Sequence, residues 1–433
     1  MRRVLCISPQ FPPMNAADMQ RLRQALPYLR ELGWQPTVVA VDPHACEGSR
    51  DPLLLETVPD SVEVIHCGAF SPRLTRKVGL GNLGFRSWPQ LRRTVHRYLS
   101  RNQINLIFFT TTVFTAIAHG PAWKRRHGVP FVVDLQDPWR NDYYLSLHKS
   151  QRPPKFAFDH WQKTHLEAAT MPHAGGLVAV SQSYIDTMRA RYPALADKPA
   201  LELPFGVLPG DLDVARRLPA EPPRDPGTVT LRYVGRGGPD MARAAQILFS
   251  ALREGRVAQP QLYGRLQLEF LGTSYADAGL GLPTIRPIAE REGVADAVIE
   301  SPDRLPYFQA LRRLLDADGL VVLGSDDPSY TASKLYPYLM ANRPLLPILH
   351  AQSPAVPFLE ASKCGPLVTF DSSSDTKETV SRARELLGWL AARPEPLALD
   401  ASLLEEYGAR AMTARLARFF DEVTYRETGK LAA

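Results

Sequence analysis

Short apolar runs alternate with amphipathic segments along most of the chain. The first run covers residues 4–8 and is followed by a proline-rich loop and an amphipathic stretch over residues 17–32. Gly33 ends that stretch, and residues 36–41 again have the apolar character of a strand. Buried strands that alternate with helical periods build parallel sheets from strand–helix–strand units. The pattern therefore predicts an α/β protein.

The same alternation continues in two series. In the first, further strands are predicted at residues 62–66, 104–110, 129–134 and 176–181, and helices at 88–101, 114–126 and 155–171. The second series has strands at residues 228–235, 266–271, 297–301, 319–324, 344–349 and 367–370. A last amphipathic helix is expected at residues 403–420, with no strand after it. Two Rossmann-like domains in tandem, with a trailing helix, account for this layout.

A cluster of prolines separates the two series. Prolines stand at positions 204, 209, 219, 222, 223 and 226, with charged residues between them. Such a segment is typical of a linker. We predict an N-terminal domain over residues 1–205, a linker over 206–227, a C-terminal domain over 228–400 and a returning helix over 401–425. The length of 433 residues suits two domains of about 200 residues each.

The composition is that of a globular protein with a mild basic excess. Hydrophobic residues make up 45% of the chain, charged residues make up 22%, and the formal net charge is +6. This excess fits a phosphate-bearing partner but falls well short of a nucleic-acid-binding footprint. The four cysteines have no C-x-x-C pairing and no ligand-like spacing to histidine, so neither a disulfide framework nor a structural zinc site is predicted.

No membrane-spanning segment is predicted. The basic and then apolar start of the chain resembles a signal peptide, but the apolar run is short and prolines follow it at once. A buried first strand explains it better. Elsewhere, no stretch approaches about 18 consecutive apolar residues. We therefore expect a cytoplasmic protein that is at most peripheral to a membrane.

Polar clusters follow the first-series strands, where open parallel sheets bind their ligands. The opening strand leads into Phe11-Pro12-Pro13-Met14-Asn15, with Arg21 behind it. Unpaired N–H groups at such a helix entry suit a phosphate, although an ordinary turn has the same form. Another strand ends in Asp134-Leu135-Gln136-Asp137-Pro138-Trp139-Arg140. Its carboxylates can hydrogen-bond sugar hydroxyls and its indole can stack on a sugar ring; a capped turn with a packed tryptophan is the alternative.

The second series carries two candidate phosphate sites. Tyr233-Val234-Gly235-Arg236-Gly237-Gly238 follows a strand, and its glycines allow close approach of a ligand. Arg236 and Arg243 have the forked donors that a diphosphate accepts. Further on, the loop Gly324-Ser325-Asp326-Asp327 precedes the segment from Ala332 to Pro344, in which Lys334 stands near the start of a predicted helix.

Five of these segments, in this order, resemble family-4 glycosyltransferases of GT-B fold, especially those of bacterial cell-surface polysaccharide synthesis. The opening is similar to their F-P-P loop with a following arginine, and residues 134–139 resemble their D-x-R-D-P-W segment. Residues 177–184 are similar to the v-S-x-x-Y stretch that closes their first domain. Residues 334–344 resemble their K-x-x-E-Y-x-A-x-G-R-P helix and turn, and residues 407–420 their final helix. The likeness covers most of the chain.

The resemblance implies a fold, a reaction and roles for residues. It implies two Rossmann-like domains with a C-terminal helix crossing back to the first, and transfer of a sugar from a nucleotide-diphosphate donor to a glycan or lipid-linked acceptor. Retention of configuration and independence from metal and cofactor are also implied. The catalytic residues would be Asp134, Gln136 and Asp137, and the acceptor or sugar contacts Asn15, Arg21 and Trp139. The donor diphosphate would be held by Arg236, Arg243 and Lys334, and the nucleotide or sugar by Gly235, Gly237, Asp326, Asp327, Ser333 and Tyr336.

The chain departs from the family pattern at several of these positions. Asn15-Ala16 replaces a glycine pair, Gln136 replaces the arginine of D-x-R-D-P-W, and Asn342 replaces the glycine before Arg343-Pro344. Pro337 stands where the family has the glutamate that binds ribose, and Ser329 stands at its partner position. Ribose recognition would then fall to other groups, such as Asp326 or Asp327.

Two other functions remain open on the sequence. The departures at Gln136 and Pro337 suit a catalytically degenerate GT-B chain that binds a nucleotide sugar or serves as an assembly subunit. An epimerase of the same shape, acting on the nucleotide sugar itself, is also compatible. The basic stretches at residues 92–101 and 124–126 are either solvated helix faces or contacts for anionic lipid or a lipid-diphosphate acceptor.

Overall fold

The computed structural model describes residues 1–142, 145, 148–149, 152, 156–222, 225–274, 276, 279–328, 335–395 and 405–429. The chain forms two compact units. The first comprises residues 1–206 together with the segment from Ala409 onwards, and the second comprises residues 207–408. The finer limits given above for two domains, a linker and a returning helix stay a prediction.

The first unit is built on a sheet of seven parallel strands in the order β3-β2-β1-β4-β5-β6-β7. The strands are β1 Arg2–Ile7, β2 Trp34–Val41, β3 Glu63–Cys67, β4 Leu106–Thr110, β5 Phe131–Leu135, β6 Gly176–Ala179 and β7 Ala200–Glu202. The helices between them are α1 Gln20–Leu29, α2 Pro72–Thr75, α3 Leu83–Leu99, α4 Gly120–His127, α5 Phe156–Thr170 and α6 Gln182–Arg191. The helix predicted at residues 114–126 is divided here into a 3-10 segment, Phe114–His119, and α4.

The second unit repeats this plan with six parallel strands in the order β10-β9-β8-β11-β12-β13. These are β8 Val229–Val234, β9 Leu266–Leu271, β10 Val298–Ser301, β11 Gly319–Leu323, β12 Leu345–His350 and β13 Val368–Phe370. The helices are α7 Pro209–Arg217, α8 Ala242–Ala258, α9 Pro260–Tyr263, α10 Arg286–Arg291, α11 Tyr307–Leu315, α12 Leu335–Met340, α13 Ala355–Ala361 and α14 Thr376–Ala391.

Each sheet therefore has a switch point at which the strand order reverses, between β1 and β4 and between β8 and β11. Because all strands are parallel, their carboxyl ends meet at one edge of each sheet. Buried parallel strands are apolar on both faces, which explains their strong signal in the sequence. Val4, Leu5, Cys6 and Ile7 of β1, for example, have no exposed surface.

The C-terminal helix, α15 Ala409–Thr428, packs on the first unit, as expected of a helix that crosses back. Phe420 is fully buried, and its ring meets those of Trp34 and Phe108 edge-on, with ring centroids 5.4 and 5.0 Å apart. The indole Nε1 of Trp34 donates a hydrogen bond to Asp421 at 2.9 Å. The predicted fold class is confirmed. No helix in the described part of the chain is long and apolar enough to cross a membrane.

Replacing Phe420 by alanine should destabilise the full-length protein by about 3–5 kcal/mol, because the change leaves a cavity between α15 and the sheet. Urea unfolding followed by tryptophan fluorescence measures this loss. Tyr425→Ala is the matched control, since Tyr425 lies on the same helix with 51% of its surface exposed. Equal unfolding midpoints for the two variants would contradict the proposed packing.

Candidate functional site

The carboxyl edge of the first sheet holds a buried polar cluster around Asp134. This residue, in β5, has no exposed surface. Its Oδ2 accepts hydrogen bonds from Arg21 Nε at 2.8 Å, Thr110 Oγ1 at 2.9 Å and Gln136 Nε2 at 2.7 Å. The donors come from α1, from the end of β4 and from the loop after β5. One carboxylate thus holds three segments together at this edge.

Arg21 extends the cluster to the end of β7. Its guanidinium donates to the carbonyl oxygens of Leu203 at 2.6 Å and Pro204 at 3.2 Å, and it lies over the ring of Phe205 at 5.0 Å. Only 5% of the residue is exposed. The described contacts of Arg21 are therefore internal, and its predicted sugar contact stays a prediction.

Gln136 fills the position at which the family pattern has arginine. Its side-chain amide also donates to the backbone oxygen of Asp18 at 2.9 Å and to Thr110 Oγ1 at 3.1 Å, and only 7% of the residue is exposed. The amide is uncharged and cannot form an ion pair with a phosphate. Its three hydrogen bonds instead fix the conformation of the loop that carries Asp137.

A second buried carboxylate, Asp18, was missed by the sequence analysis. Its Oδ2 accepts from Thr111 Oγ1 at 2.8 Å and from the Thr112 backbone N–H at 2.9 Å, and 2% of the residue is exposed. Its Oδ1 has no hydrogen-bond partner among the described residues. Burial raises the pKa of Asp18 above its usual range. A charged residue in the loop before α1 was the only available signal, because its threonine partners lie more than ninety positions away.

Asp137 is the exposed carboxylate of this site. The protein around it partly displaces water, which raises its pKa, and the negative charge of Asp18 raises the pKa further. A carboxylate with this shift holds a proton more readily than an ordinary surface aspartate. Because it is also exposed, it can exchange that proton with a bound molecule.

The other two residues predicted for this edge differ in accessibility. Asn15 is half-buried, and its backbone N–H donates to the Ser49 carbonyl at 2.9 Å. Trp139 is only 1% exposed, and its indole is stacked on Phe114 at 5.7 Å with ring planes 11° apart. The indole lies in the core of the first unit in this structure, so a sugar would reach its face only after a rearrangement of the loop.

The loop after β8 in the second unit depends on its glycines. Gly235 has φ of +150°, a backbone conformation that residues with side chains rarely adopt. Gly237 donates its N–H to the Thr273 carbonyl at 2.8 Å, and a Cβ at this position would lie 2.5 Å from Thr284 Oγ1. These two glycines therefore let the loop lie directly against the loop that follows β9.

Arg236 is held by an aspartate of its own loop. Both of its terminal nitrogens donate to the carboxylate of Asp240 at 2.7 Å, and Ser325 Oγ donates to the same carboxylate at 2.8 Å. The Arg236 hydrogen bonds, with Ser325 adding to them, lower the pKa of Asp240. The Asp326 N–H donates to the Asp240 carbonyl at 2.7 Å, which joins the loops after β8 and β11. A diphosphate at Arg236 would have to share its guanidinium with Asp240.

Arg243, in the first turn of α8, joins a third loop to this edge. Its guanidinium donates to the carbonyl of Asp371 and lies over the ring of Phe370, 5.4 Å from its centroid. Arg243, Asp326 and Phe370 line a cavity of about 680 Å³, to which Arg291 adds a second cation. Two residues that the sequence predicted for the donor site are thus brought together around one cavity.

The remaining predicted donor residues fall in three groups. The Asp327 backbone N–H donates to Ser325 Oγ at 3.1 Å, and the Asp327 residue is exposed. Tyr336 is 7% exposed and packs in an aromatic cluster with Tyr407 and Phe358, at ring distances of 5.1 and 4.9 Å. Ser333 and Lys334, like Ser329, lie outside the described residues. In the described part of the chain, no group of three or more histidine, cysteine or carboxylate side chains could hold a metal ion.

The chain is similar to glycosyltransferases in part of its sequence and in its fold. Residues 20–200 match the family described as "Glycosyl transferase 4-like domain". No curated protein is detectably similar to the chain in sequence. The fold is similar to that of a UDP-forming α,α-trehalose-phosphate synthase from Burkholderia xenovorans, with a TM-score of 0.57 and 13% identity over 98% of this chain and 99% of that one.

Two further structures share the fold. One is the sucrose-phosphate synthase (tll1590) from Thermosynechococcus elongatus, with a TM-score of 0.56 and 15% identity over 98% of this chain and 99% of that one. The other is WaaG, a glycosyltransferase involved in lipopolysaccharide biosynthesis, with a TM-score of 0.53 and 13% identity over 99% of this chain and all of that one. At these identities the structures establish a common fold, the GT-B arrangement. With the family match, they support the prediction that the chain is a glycosyltransferase.

Arg21→Ala should destabilise the protein by about 3–5 kcal/mol, because it leaves the buried carboxylate of Asp134 without its charged partner. Denaturant titration of the full-length chain measures the change. Arg30→Ala is the matched control, since Arg30 follows the same helix and is exposed. A loss no larger than in the control would contradict a stabilising role for the Arg21–Asp134 pair.

Proposed function

We propose that the chain transfers a sugar from a nucleotide-diphosphate donor to a glycan or lipid-linked acceptor in cell-surface polysaccharide synthesis. The observation that carries this proposal is the convergence, at the carboxyl edge of the second sheet, of a glycine loop, the start of a 17-residue helix and Arg243. Among the structural neighbours, the trehalose-phosphate synthase is UDP-forming and WaaG acts in lipopolysaccharide biosynthesis. The first description agrees with a nucleotide-sugar donor, and the second agrees with a cell-surface product.

The donor diphosphate would bind at the N-terminus of α8. Unpaired backbone N–H groups and the positive end of the helix dipole favour an anion there. Arg243 adds a guanidinium in the first turn, and Lys334 is proposed as a further cation from the segment before α12. These groups would stabilise the charge that develops on the departing nucleoside diphosphate, which is the role that a metal ion has in other transferases. Metal independence is proposed on that basis, and retention of configuration on the resemblance of the loops.

Asp137 would act on the acceptor or the transferred sugar from the edge of the first sheet. It is exposed, and its raised pKa brings it closer to the pH at which a proton acceptor is most effective. Asp134 and Gln136 are buried and bonded to each other, so we assign them to positioning the loop that carries Asp137. We place the reaction in the cytoplasm, with the protein at most peripheral to the inner membrane.

Arg243→Ala should weaken binding of UDP or GDP about tenfold to a hundredfold, because a charged hydrogen bond contributes about 1.5–3 kcal/mol. Calorimetric titration of the full-length protein without magnesium gives the dissociation constants. Arg256→Ala is the matched control, since Arg256 lies in the last turn of the same helix and pairs with Asp296. Failure of every nucleotide tested to bind the wild type would refute the donor assignment.

Asp137→Asn should lower kcat about a hundredfold to ten-thousandfold if the carboxylate accepts the acceptor's proton. The wild-type rate should fall as the pH drops through the raised pKa of Asp137, since only the ionised form accepts a proton. Product formation is followed by mass spectrometry with a panel of UDP- and GDP-sugars, and Asp159→Asn, an exposed change on α5, is the control. Nucleotide-sugar binding without turnover would favour the assembly-subunit alternative, and isomerised donor would favour the epimerase.

A further inference from the structure

A groove of about 540 Å³ lies between α3 and α4 on the first unit. Its walls are Trp88, Pro89, Arg92, Arg93 and His96 from α3, and Ala122, Trp123, Arg125 and Arg126 from α4. These helices connect β3 to β4 and β4 to β5, so the groove lies along a face of the sheet. Neither Asp18 nor Asp134, the buried carboxylates of the carboxyl edge, lines this groove.

The positive charge of this groove is not balanced within the described part of the chain. Neither α3 nor α4 contains an aspartate or a glutamate. None of the four groove arginines forms a hydrogen bond or an ion pair with another described residue. Lys124, on the same helix as two of them, differs in this respect, because its ammonium pairs with Glu427 at 2.7 Å.

The helix dipole explains only part of this charge. Arg125 and Arg126 lie in the last turn of α4, where cations are favoured. Arg92 and Arg93 lie in the middle of α3, beyond the first or last turn to which the dipole effect is limited. Four guanidinium groups that line one groove repel one another, and this makes the groove a better site for an anion than a neutral helix surface would be.

Two tryptophans line the groove, and a buried histidine packs against them. Trp88 packs on the buried His119, with ring centroids 3.9 Å apart, and Trp123 is 3% exposed. The Nε1 of Trp123 and the Nε2 of His119 are buried without a hydrogen-bond partner among the described residues. Burial and the charge of Arg92 lower the pKa of His119 to about 3, so this ring is neutral and the positive charge comes from the arginines.

We propose that the groove between α3 and α4 binds a ligand that carries a phosphate group next to an apolar or aromatic moiety. Forked guanidinium donors match the oxygens of a phosphate, and the half-buried Trp88 and the neighbouring Pro89 offer an apolar surface beside them. The ligand is either a soluble phosphorylated compound or the headgroup of an anionic lipid. This site goes beyond the proposed sugar transfer, because none of the residues that line it belongs to the proposed donor or acceptor sites.

Pyrophosphate is the soluble probe, and hydrogen–deuterium exchange of the full-length protein is the readout. Peptides that cover Leu83–Leu99 and Gly120–His127 should exchange more slowly when pyrophosphate is added. The measurement is repeated in Arg243→Ala, which weakens the proposed donor site, so that protection of α3 and α4 is assigned to the groove alone. The double variant Arg92→Gln/Arg126→Gln should require at least tenfold more pyrophosphate for the same protection.

The control is Arg97→Gln/Arg101→Gln, which removes the same charge from exposed positions at the end of α3 and just beyond it, outside the groove. Sedimentation with phosphatidylglycerol vesicles, against phosphatidylcholine vesicles, is the lipid arm. Loss of protection in the groove variant, but not in the control, supports a site for a soluble phosphorylated compound. Loss of sedimentation in the groove variant alone supports a site for an anionic lipid headgroup. Equal behaviour of the two double variants in both arms overturns the proposal. That result would not count against the donor site, which is tested separately by UDP binding in Arg243→Ala.

Discussion

The buried carboxylate of Asp134 sets the main constraint on the first unit. An ion without exposed surface is tolerated only where charged and neutral donors replace its lost water. Arg21, Thr110 and Gln136 meet this requirement from α1, β4 and the loop after β5. Since Arg21 also binds the carbonyls that follow β7, four segments of the carboxyl edge are positioned by the ion pair of Asp134 and Arg21. The exposed Asp137 owes its location to this buried framework.

The second unit uses a similar device in a more exposed setting. Asp240 accepts hydrogen bonds from Arg236 and Ser325, and its own carbonyl binds the N–H of Asp326. The side chains of Arg236 and Asp240 are partly exposed, so water and salt screen their ion pair more than they screen the pair of Asp134 and Arg21. The loops of the second edge are therefore joined mainly by backbone contacts and by the close packing that Gly237 permits.

The sequence revealed the fold more fully than it revealed the site. Buried parallel strands are recognisable as uninterrupted apolar runs, so β1, β4 and β11 could be located from pattern alone. The short strand β7 and the helix α7 lacked such a signal, because α7 begins at Pro209 within a proline-rich segment. Proline is compatible with the first turn of a helix, and composition does not distinguish that use from a loop.

Side-chain partners at the site could not be deduced in the same way. The pairing of Asp18 with Thr111 joins residues 93 positions apart and depends on which strand ends are adjacent. Trp139 and Tyr336 belong to polar segments, but in the structure their rings pack on Phe114 and Tyr407. An aromatic residue in a loop has the same local sequence whether it faces a ligand or the core. The returning helix α15, in contrast, was recognisable from its amphipathic period, although it extends to Thr428 and does not end at the predicted residue 420.

The place of α15 in the chain has a consequence for synthesis on the ribosome. The surface that Phe420 covers belongs to Trp34 and Phe108, which are made early, whereas residues 207–408 must all be translated before Phe420 appears. The half of the protein that is synthesised first is thus the last to complete its core. During that interval the aromatic rings of Trp34 and Phe108 lack their covering layer, and a chain that is truncated after residue 408 never acquires it.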